Sequence, residues 1–265
     1  MAPFGGKENV DFVAHALWFA GSLFVGMLVT QEIGRQIGLR RVRQEGDKFV
    51  AGTSVVDGAV FALLGLLIAF TFSSAASRFD HRRELIVEEA NNIGTAYLRL
   101  NLLPPDAATH LRQSFREYLD TRLATYRALP DIEAAKTGLA RTAAQQQQIW
   151  TDALAASAGI QPATMLLAPA LNNMFDITTT RTRAAFTHPP VAIFWLLYAL
   201  ALLGGALAGY ATAGTRKREW MHMIVFAITL SGAVYVILDL EYPRLGLIRL
   251  DEFDQPLVDL RDSMK

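Results

Sequence analysis

AVFALLGLLIAFTFSSAASRFDHRRELIVEEANNIGTAYLRL, residues 59 to 100, is the most informative stretch of this chain. It passes from apolar into charged sequence without a proline, and only Gly65 and Gly94 interrupt it as possible helix breakers. Single glycines are tolerated inside helices. The stretch therefore predicts one long helix whose first half spans a membrane and whose second half stands in water.

This helix would have two different faces. At 100° per residue, one face holds an apolar side chain followed by hydroxyl, acidic and amide side chains, all within about 60° of Phe70. Its members are Leu66, Ser73, Ser74, Ser77, His81, Glu84, Glu88, Asn91, Asn92 and Thr95. The opposite face collects Phe72, Ala75, Phe79, Ile86, Ala90, Ile93 and Tyr97. A serine row on one side of a membrane helix indicates either packing against a partner helix or a water-filled path.

The rest of the chain indicates an all-α membrane protein. It has 265 residues, 52% of them hydrophobic, which is apolar for a soluble protein. Four segments have the length of about 20 residues that a membrane crossing needs: 12–30, 58–77, 191–210 and 220–238. The first of them lacks a small-residue cleavage site and is therefore predicted to stay as an anchor.

The spans divide the chain into four regions. Residues 1–77 would hold the first two transmembrane helices with a basic linker, and residues 78–189 an extramembrane helical bundle that continues the second helix. Residues 190–240 would hold the third and fourth transmembrane helices, and residues 241–265 an acidic tail. Within the bundle, Leu111, Phe115, Tyr118 and Arg122 repeat at helical spacing.

Several classes of function find no support in the sequence. The five histidines are scattered, and no zinc-protease, phosphate-loop, serine-elbow or dinucleotide motif is present, so we expect neither an enzyme nor a cofactor. The formal net charge is zero, which gives no reason to expect a nucleic-acid partner. With no cysteine there is no disulfide framework.

Two segments carry a family resemblance. Ser77-Arg78-Phe79, with Phe70 before it and Arg82-Arg83 and Asn91-Asn92 after it, resembles the second transmembrane helix of bestrophins, with Phe79 in place of a tryptophan. Over residues 73–104 and 239–260 the chain is closer still to a group of bacterial bestrophin-like membrane proteins.

This resemblance implies an oligomeric channel, a pentamer in the inner membrane, with the second helix around the axis and small inorganic ions passing between the subunits. By matching positions, the pore and its neck would be lined by Ala62, Leu66, Phe70, Ser73, Ser74 and Ser77. The vestibule would be lined by His81, Glu84, Glu88, Asn91 and Asn92. Arg78 and Phe79 would form a structural motif beside it.

The ion and the conducting role stay open at this point. Bestrophins imply chloride, whereas Glu84 and Glu88 on the same face favour cations. A non-conducting membrane assembly or sensor protein, with the serine row as a packing seam, is the alternative from another class. A transporter is less favoured because no span is broken at its middle and no inverted repeat is visible.

The tail and the topology leave further alternatives. Asp251, Glu252 and Asp254 meet the oxygen-ligand requirement of calcium loosely, and a solvated tail against a neighbouring subunit is the simpler interpretation, so we assign no metal site. The short basic loops at 31–54 and 214–219 place the bundle outside the cell, whereas the bestrophin resemblance places it in the cytoplasm.

Overall fold

The computed structural model describes residues 9–45, 54–128, 131–214, 220–243, 247–248 and 251–264. Within these ranges the chain is helical and contains no strand. The helices are α1 (Asn9–Glu45), α2 (Ser54–Arg99), α3 (Pro105–Ala128), α4 (Ile132–Ser157), α5 (Gln161–Phe186), α6 (Val191–Ala211), α7 (Trp220–Glu241) and α8 (Gln255–Ser263).

The predicted all-α, four-span fold is confirmed. Four helical stretches of the described residues are long and apolar enough to cross a membrane: Ala14–Gln44, Val55–Leu102, Gln161–Ala211 and Trp220–Glu241. The predicted long helix is present as α2, which runs for 46 residues without interruption. α1 is longer than expected, because the basic residues after position 30 continue the helix to Glu45 instead of forming a linker.

The chain divides into two compact units, and α2 contributes to both. The membrane unit comprises Phe12–Ser77 and His188–Tyr242. The bundle unit is built mainly from Arg78–Thr187, with the C-terminal segment from Pro243. The boundary at Ser77 falls where the apolar half of α2 gives way to its charged half.

Close contact between α1 and α6 organises the membrane unit. A Cβ added at Gly209 would collide with the main chain at Gln31, and one at Gly34 would collide with the main chain at Ala206. Small residues allow helix backbones to approach in this way where lipid supplies no hydrophobic driving force. Gly205 and Gly209 of α6 therefore lie on the face that meets α1.

The bundle unit has a continuous apolar core. Helices α3, α4 and α5 share this core with one face of the extramembrane half of α2. Its side chains include Ile93, Phe115, Leu119, Ile149 and Leu171, all at most 1% exposed. The opposite face of α2 supplies part of this core, as its apolar spacing predicts.

The C-terminal segment differs from its prediction as a solvated tail against a neighbouring subunit. α8 packs on its own bundle, with Leu257 fully buried. The Arg261 guanidinium donates from Nε and Nη2 to the two Asp120 carboxylate oxygens on α3, at 2.7 and 2.9 Å.

Candidate functional site

The membrane half of α2 carries an exposed row of side chains, which we call the membrane stripe. All six residues predicted to line the pore and its neck are exposed in the protomer: Ala62, Leu66, Phe70, Ser73, Ser74 and Ser77. Phe70 is 62% exposed, and Ala75 on the other side of the helix is fully buried. The stripe therefore faces away from the protomer's own helices.

Serine and threonine on α2 behave differently according to face. The hydroxyl of Thr71, which is buried, donates to the Leu67 main-chain oxygen at 2.5 Å within the same helix. The three serine hydroxyls of the membrane stripe point out of the unit, where water or another subunit can bond them. A row of hydroxyls exposed at membrane depth is compatible with water, another subunit or bonds within the helix.

In the bundle unit, a second exposed row continues along α2, which we call the bundle stripe. Of the residues predicted to line the vestibule, four are exposed and Asn92 is half-buried: His81, Glu84, Glu88, Asn91 and Asn92. His81 Nδ1 lies 3.8 Å from Glu84 Oε2, with 59% and 79% of the two side chains exposed. The Asn92 amide donates to the Asn173 main-chain oxygen at 3.5 Å. The bundle stripe thus presents carboxylates and amides to its surroundings.

The basic residues beside this stripe point elsewhere. Arg82 is buried and donates from Nε to the Ala184 oxygen and from Nη2 to the Thr187 oxygen, both at 3.0 Å. These bonds satisfy carbonyls at the C-terminal end of α5, where a cation is favoured. The Arg83 guanidinium lies 4.1 Å from the ring centroid of Phe253 and is therefore also engaged within the unit.

Phe79, one residue of the predicted structural motif, packs against another aromatic ring. The Phe79 ring meets Phe253 edge-on, with centroids 6.2 Å apart. This geometry is favourable for aromatic pairs. Phe79 thereby joins α2 to the segment before α8, and the partly buried Arg78 precedes it on the helix.

A buried charge cluster lies on the inner side of the same half of α2, and we had not predicted it. The Glu89 carboxylate, fully buried, accepts from Arg122 Nε at 2.6 Å, from the Tyr126 hydroxyl at 3.0 Å and from Arg181. The Arg181 guanidinium also lies 3.7 Å from the Tyr126 ring centroid. We call these four residues the Glu89 cluster. Its ion pairs and hydrogen bonds connect α2, α3 and α5.

The protonation states in the Glu89 cluster are fixed by its surroundings. Burial alone would lower the pKa of Arg122, but Tyr126 and Glu89 raise it above its usual value, so the guanidinium stays charged. Burial raises the pKa of the Tyr126 hydroxyl, and the Glu89 carboxylate raises it further. Tyr126 therefore stays protonated and acts as a donor. The sequence feature that could have indicated this cluster is Arg122. It continues the helical repeat of Leu111, Phe115 and Tyr118, so a charged side chain occupies a position on the apolar face of α3.

The residues considered for calcium divide into two groups. Asp254 is buried, and its Oδ1 lies 3.6 Å from Arg181 Nη2, so an arginine already neutralises it. The side chains of Asp251 and Glu252 lie outside the described residues. Across the described ranges, no group of three or more histidine and carboxylate side chains is arranged to hold a metal ion.

Comparisons with known proteins agree with this architecture. A crystal structure of a variant of the bacterial bestrophin homologue from Klebsiella pneumoniae is 17% identical, with 89% of this chain and 98% of that chain covered and a TM-score of 0.65. Another structure of that homologue is 16% identical, with 90% and 98% covered and a TM-score of 0.64. At these identities the likeness concerns the fold.

The family assignment comes from the sequence itself. No curated protein matches the chain. The Bestrophin-like domain matches residues 23–252, which is most of the chain. The protein is therefore a multi-pass membrane protein that belongs to the bestrophin-like family.

Proposed function

We propose that this protein is an oligomeric ion channel of the bacterial inner membrane, with the membrane stripe and the bundle stripe facing the ion path. Membership of the bestrophin-like family supports an ion-channel kind of function. The observation that carries the pore lining is the exposure of the stripe residues, including three serines at membrane depth. One copy of α2 cannot enclose a path, so the pore requires a ring of subunits, a pentamer by resemblance.

The two stripes would serve different steps of permeation. Ala62, Leu66 and Phe70 would form an apolar neck, because a narrow apolar ring can exclude water and ions. Ser73, Ser74 and Ser77 would then offer hydroxyl oxygens and protons to a partly dehydrated ion. In the bundle unit, the glutamates of the bundle stripe would set the electrostatic potential of a vestibule.

Resemblance and local chemistry favour different ions. The family resemblance favours chloride. The bundle stripe favours a cation, because Glu84 and Glu88 are exposed while Arg82 is turned into the bundle. A cation-conducting channel of the same architecture is therefore our second candidate. Rings of carboxylates repeated in each subunit concentrate cations near a pore mouth.

The test is ion flux from liposomes that contain the purified protein. Flux is measured with chloride and then with potassium as the only permeant ion, for wild type, Phe70→Ala and Phe72→Ala. Phe72 is a matched control, because it lies on the other side of the same helix turn and is also exposed, at 46%. We expect Phe70→Ala to increase flux by widening the neck and Phe72→Ala to leave it unchanged.

A second outcome would support a different class of function. An intact oligomer without flux of either ion, and a Phe70→Ala variant that dissociates, would show that the membrane stripe is a packing seam. The protein would then be a non-conducting membrane assembly or sensor, and the channel proposal would be wrong.

A further inference from the structure

The membrane unit contains a groove near the N-terminal end of α2. It has a volume of about 460 Å³ and is lined by α1, α2 and α6 through Gly34, Ile37, Arg41, Val56, Asp57, Ala206, Leu207 and Tyr210. This volume is within the range of roughly 300–1,000 Å³ that is typical of small-molecule sites. The groove is therefore large enough for part of a lipid.

The position of the groove along the helices places it at the edge of the hydrocarbon region. Asp57 lies in the first turn of α2, directly before its apolar run. Arg41 follows the apolar part of α1, and Tyr210 precedes the last residue of α6. Charged residues at helix ends mark the level of lipid headgroups. The groove thus has a charged rim at headgroup level and an apolar floor formed by side chains such as Ile37 and Leu207.

The two rim charges have opposite signs. Within the described residues, neither the Arg41 guanidinium nor the Asp57 carboxylate takes part in an ion pair or a hydrogen bond. A groove lined by both an arginine and a carboxylate is poorly suited to a purely anionic headgroup, because the carboxylate repels it. The same pair suits a headgroup that carries a phosphate and an ammonium group side by side.

We propose that this groove binds a zwitterionic phospholipid with an amine headgroup. Its phosphate would bond Arg41, its ammonium would pair with Asp57, and an acyl chain would lie along Ile37, Val56 and Leu207. Basic pockets between transmembrane helices are known to hold anionic headgroups. The carboxylate at this rim changes that preference to a lipid with no net charge. This proposal does not depend on ion conduction.

Native mass spectrometry of the purified oligomer in detergent tests the proposal. The probes are dioleoyl phosphatidylethanolamine and dioleoyl phosphatidylglycerol, added separately and in equal mixture. We expect wild type to bind the ethanolamine lipid preferentially. Arg41→Gln should weaken binding of both lipids by about fivefold, since one basic residue near the membrane surface contributes roughly that factor. Asp57→Asn should abolish the preference, because the phosphoglycerol headgroup is no longer repelled.

Two further variants separate the groove from the general membrane surface. Val56→Trp adds bulk to an exposed lining residue and should reduce binding of the ethanolamine lipid. Arg43→Gln removes a neighbouring charge in the last turn of α1 that does not line the groove, and it should have no effect. Arg41, Arg43 and Val56 are exposed and Asp57 is partly exposed, so folding should be preserved. The same spectra report the oligomeric state.

Three results would overturn the proposal. The first is a wild-type preference for phosphatidylglycerol. The second is an unchanged lipid preference in Asp57→Asn together with unchanged affinity in Arg41→Gln. The third is dissociation of the oligomer by Val56→Trp, which would show that a second copy of the chain, rather than a lipid, fills the groove.

Discussion

Glu89 and Arg122 form an ion pair with 2.6 Å between Oε1 and Nε, and both side chains are fully buried. Taking two charges out of water is costly, and their attraction compensates only when the remaining hydrogen-bonding groups also find partners. Tyr126 and Arg181 supply such partners for the carboxylate. The pair therefore contributes more to holding three helices in register than to the total free energy of folding.

Removing the carboxylate charge should destabilise the bundle strongly. Glu89→Gln leaves Arg122 and Arg181 buried beside a neutral amide, and breaking a buried ion pair typically costs about 3–5 kcal/mol. We expect a marked fall in the melting temperature of the purified protein. Tryptophan fluorescence during heating measures this temperature. Glu88→Gln is the matched control, because Glu88 is adjacent but exposed, and it should change the melting temperature little. Equal effects of the two variants would contradict the role of the Glu89 cluster.

A buried tyrosine should make the bundle sensitive to alkaline conditions. Tyr118 is fully buried, and its hydroxyl lies 3.1 Å from Thr178 Oγ1 and accepts from Gln146 Nε2 at 3.2 Å. Burial raises the pKa of this hydroxyl above its usual value. The folded state holds the proton more tightly than the unfolded state, so this contribution to stability is complete below about pH 10 and is lost as the pH rises above it.

Tyr118→Phe tests this contribution. At about pH 8 the variant should lose roughly 1 kcal/mol of stability, because Thr178 and Gln146 lose a partner. Between about pH 8 and about pH 10.5, the melting temperature should fall less in the variant than in wild type. An equal or steeper fall in the variant would mean that another group, such as Tyr126, controls the alkaline transition.

The contact between α1 and α6 should tolerate no side chain at its centre. A Cβ at Gly209 would lie 2.6 Å from the Gln31 carbonyl carbon. A flexible side chain could move to relieve such a clash, but the main chain of α1 cannot. Gly209→Ala should therefore cost about 1–3 kcal/mol or more by forcing the helices apart. At Gly232 in α7 a Cβ would meet nothing within 4 Å, so Gly232→Ala is the control. The yield of folded protein and its melting temperature in detergent measure both variants.

The helices and the exposed face of α2 could be predicted from the sequence, because both depend on local features. Prolines and glycines lie at several of the helix ends, and the 3.6-residue period of α2 separates exposed from buried positions along its extramembrane half. Ile86 and Ile93 are buried as this period requires, whereas Glu84 and Glu88 are exposed.

The interactions between distant segments could not be predicted in this way. Glu89 meets Arg122 and Arg181, which are 33 and 92 residues further along the chain. No spacing rule connects such positions, and the helical period places Glu89 only about 100° from Phe70, on the flank of the exposed face.

The carboxylates of the bundle stripe should control which ion passes. In the proposed channel, Glu84 and Glu88 of every subunit face the vestibule, so the double variant Glu84→Gln, Glu88→Gln removes negative potential from the ion path. We expect the potassium-to-chloride permeability ratio to fall by about fivefold, the equivalent of roughly 1 kcal/mol of lost attraction. The reversal potential in planar bilayers under a KCl gradient measures this ratio. Glu133→Gln, at an exposed site on α4, should leave the reversal potential unchanged. If the double variant behaves like this control while Phe70→Ala still increases flux, the ion path passes the neck but does not follow the bundle stripe.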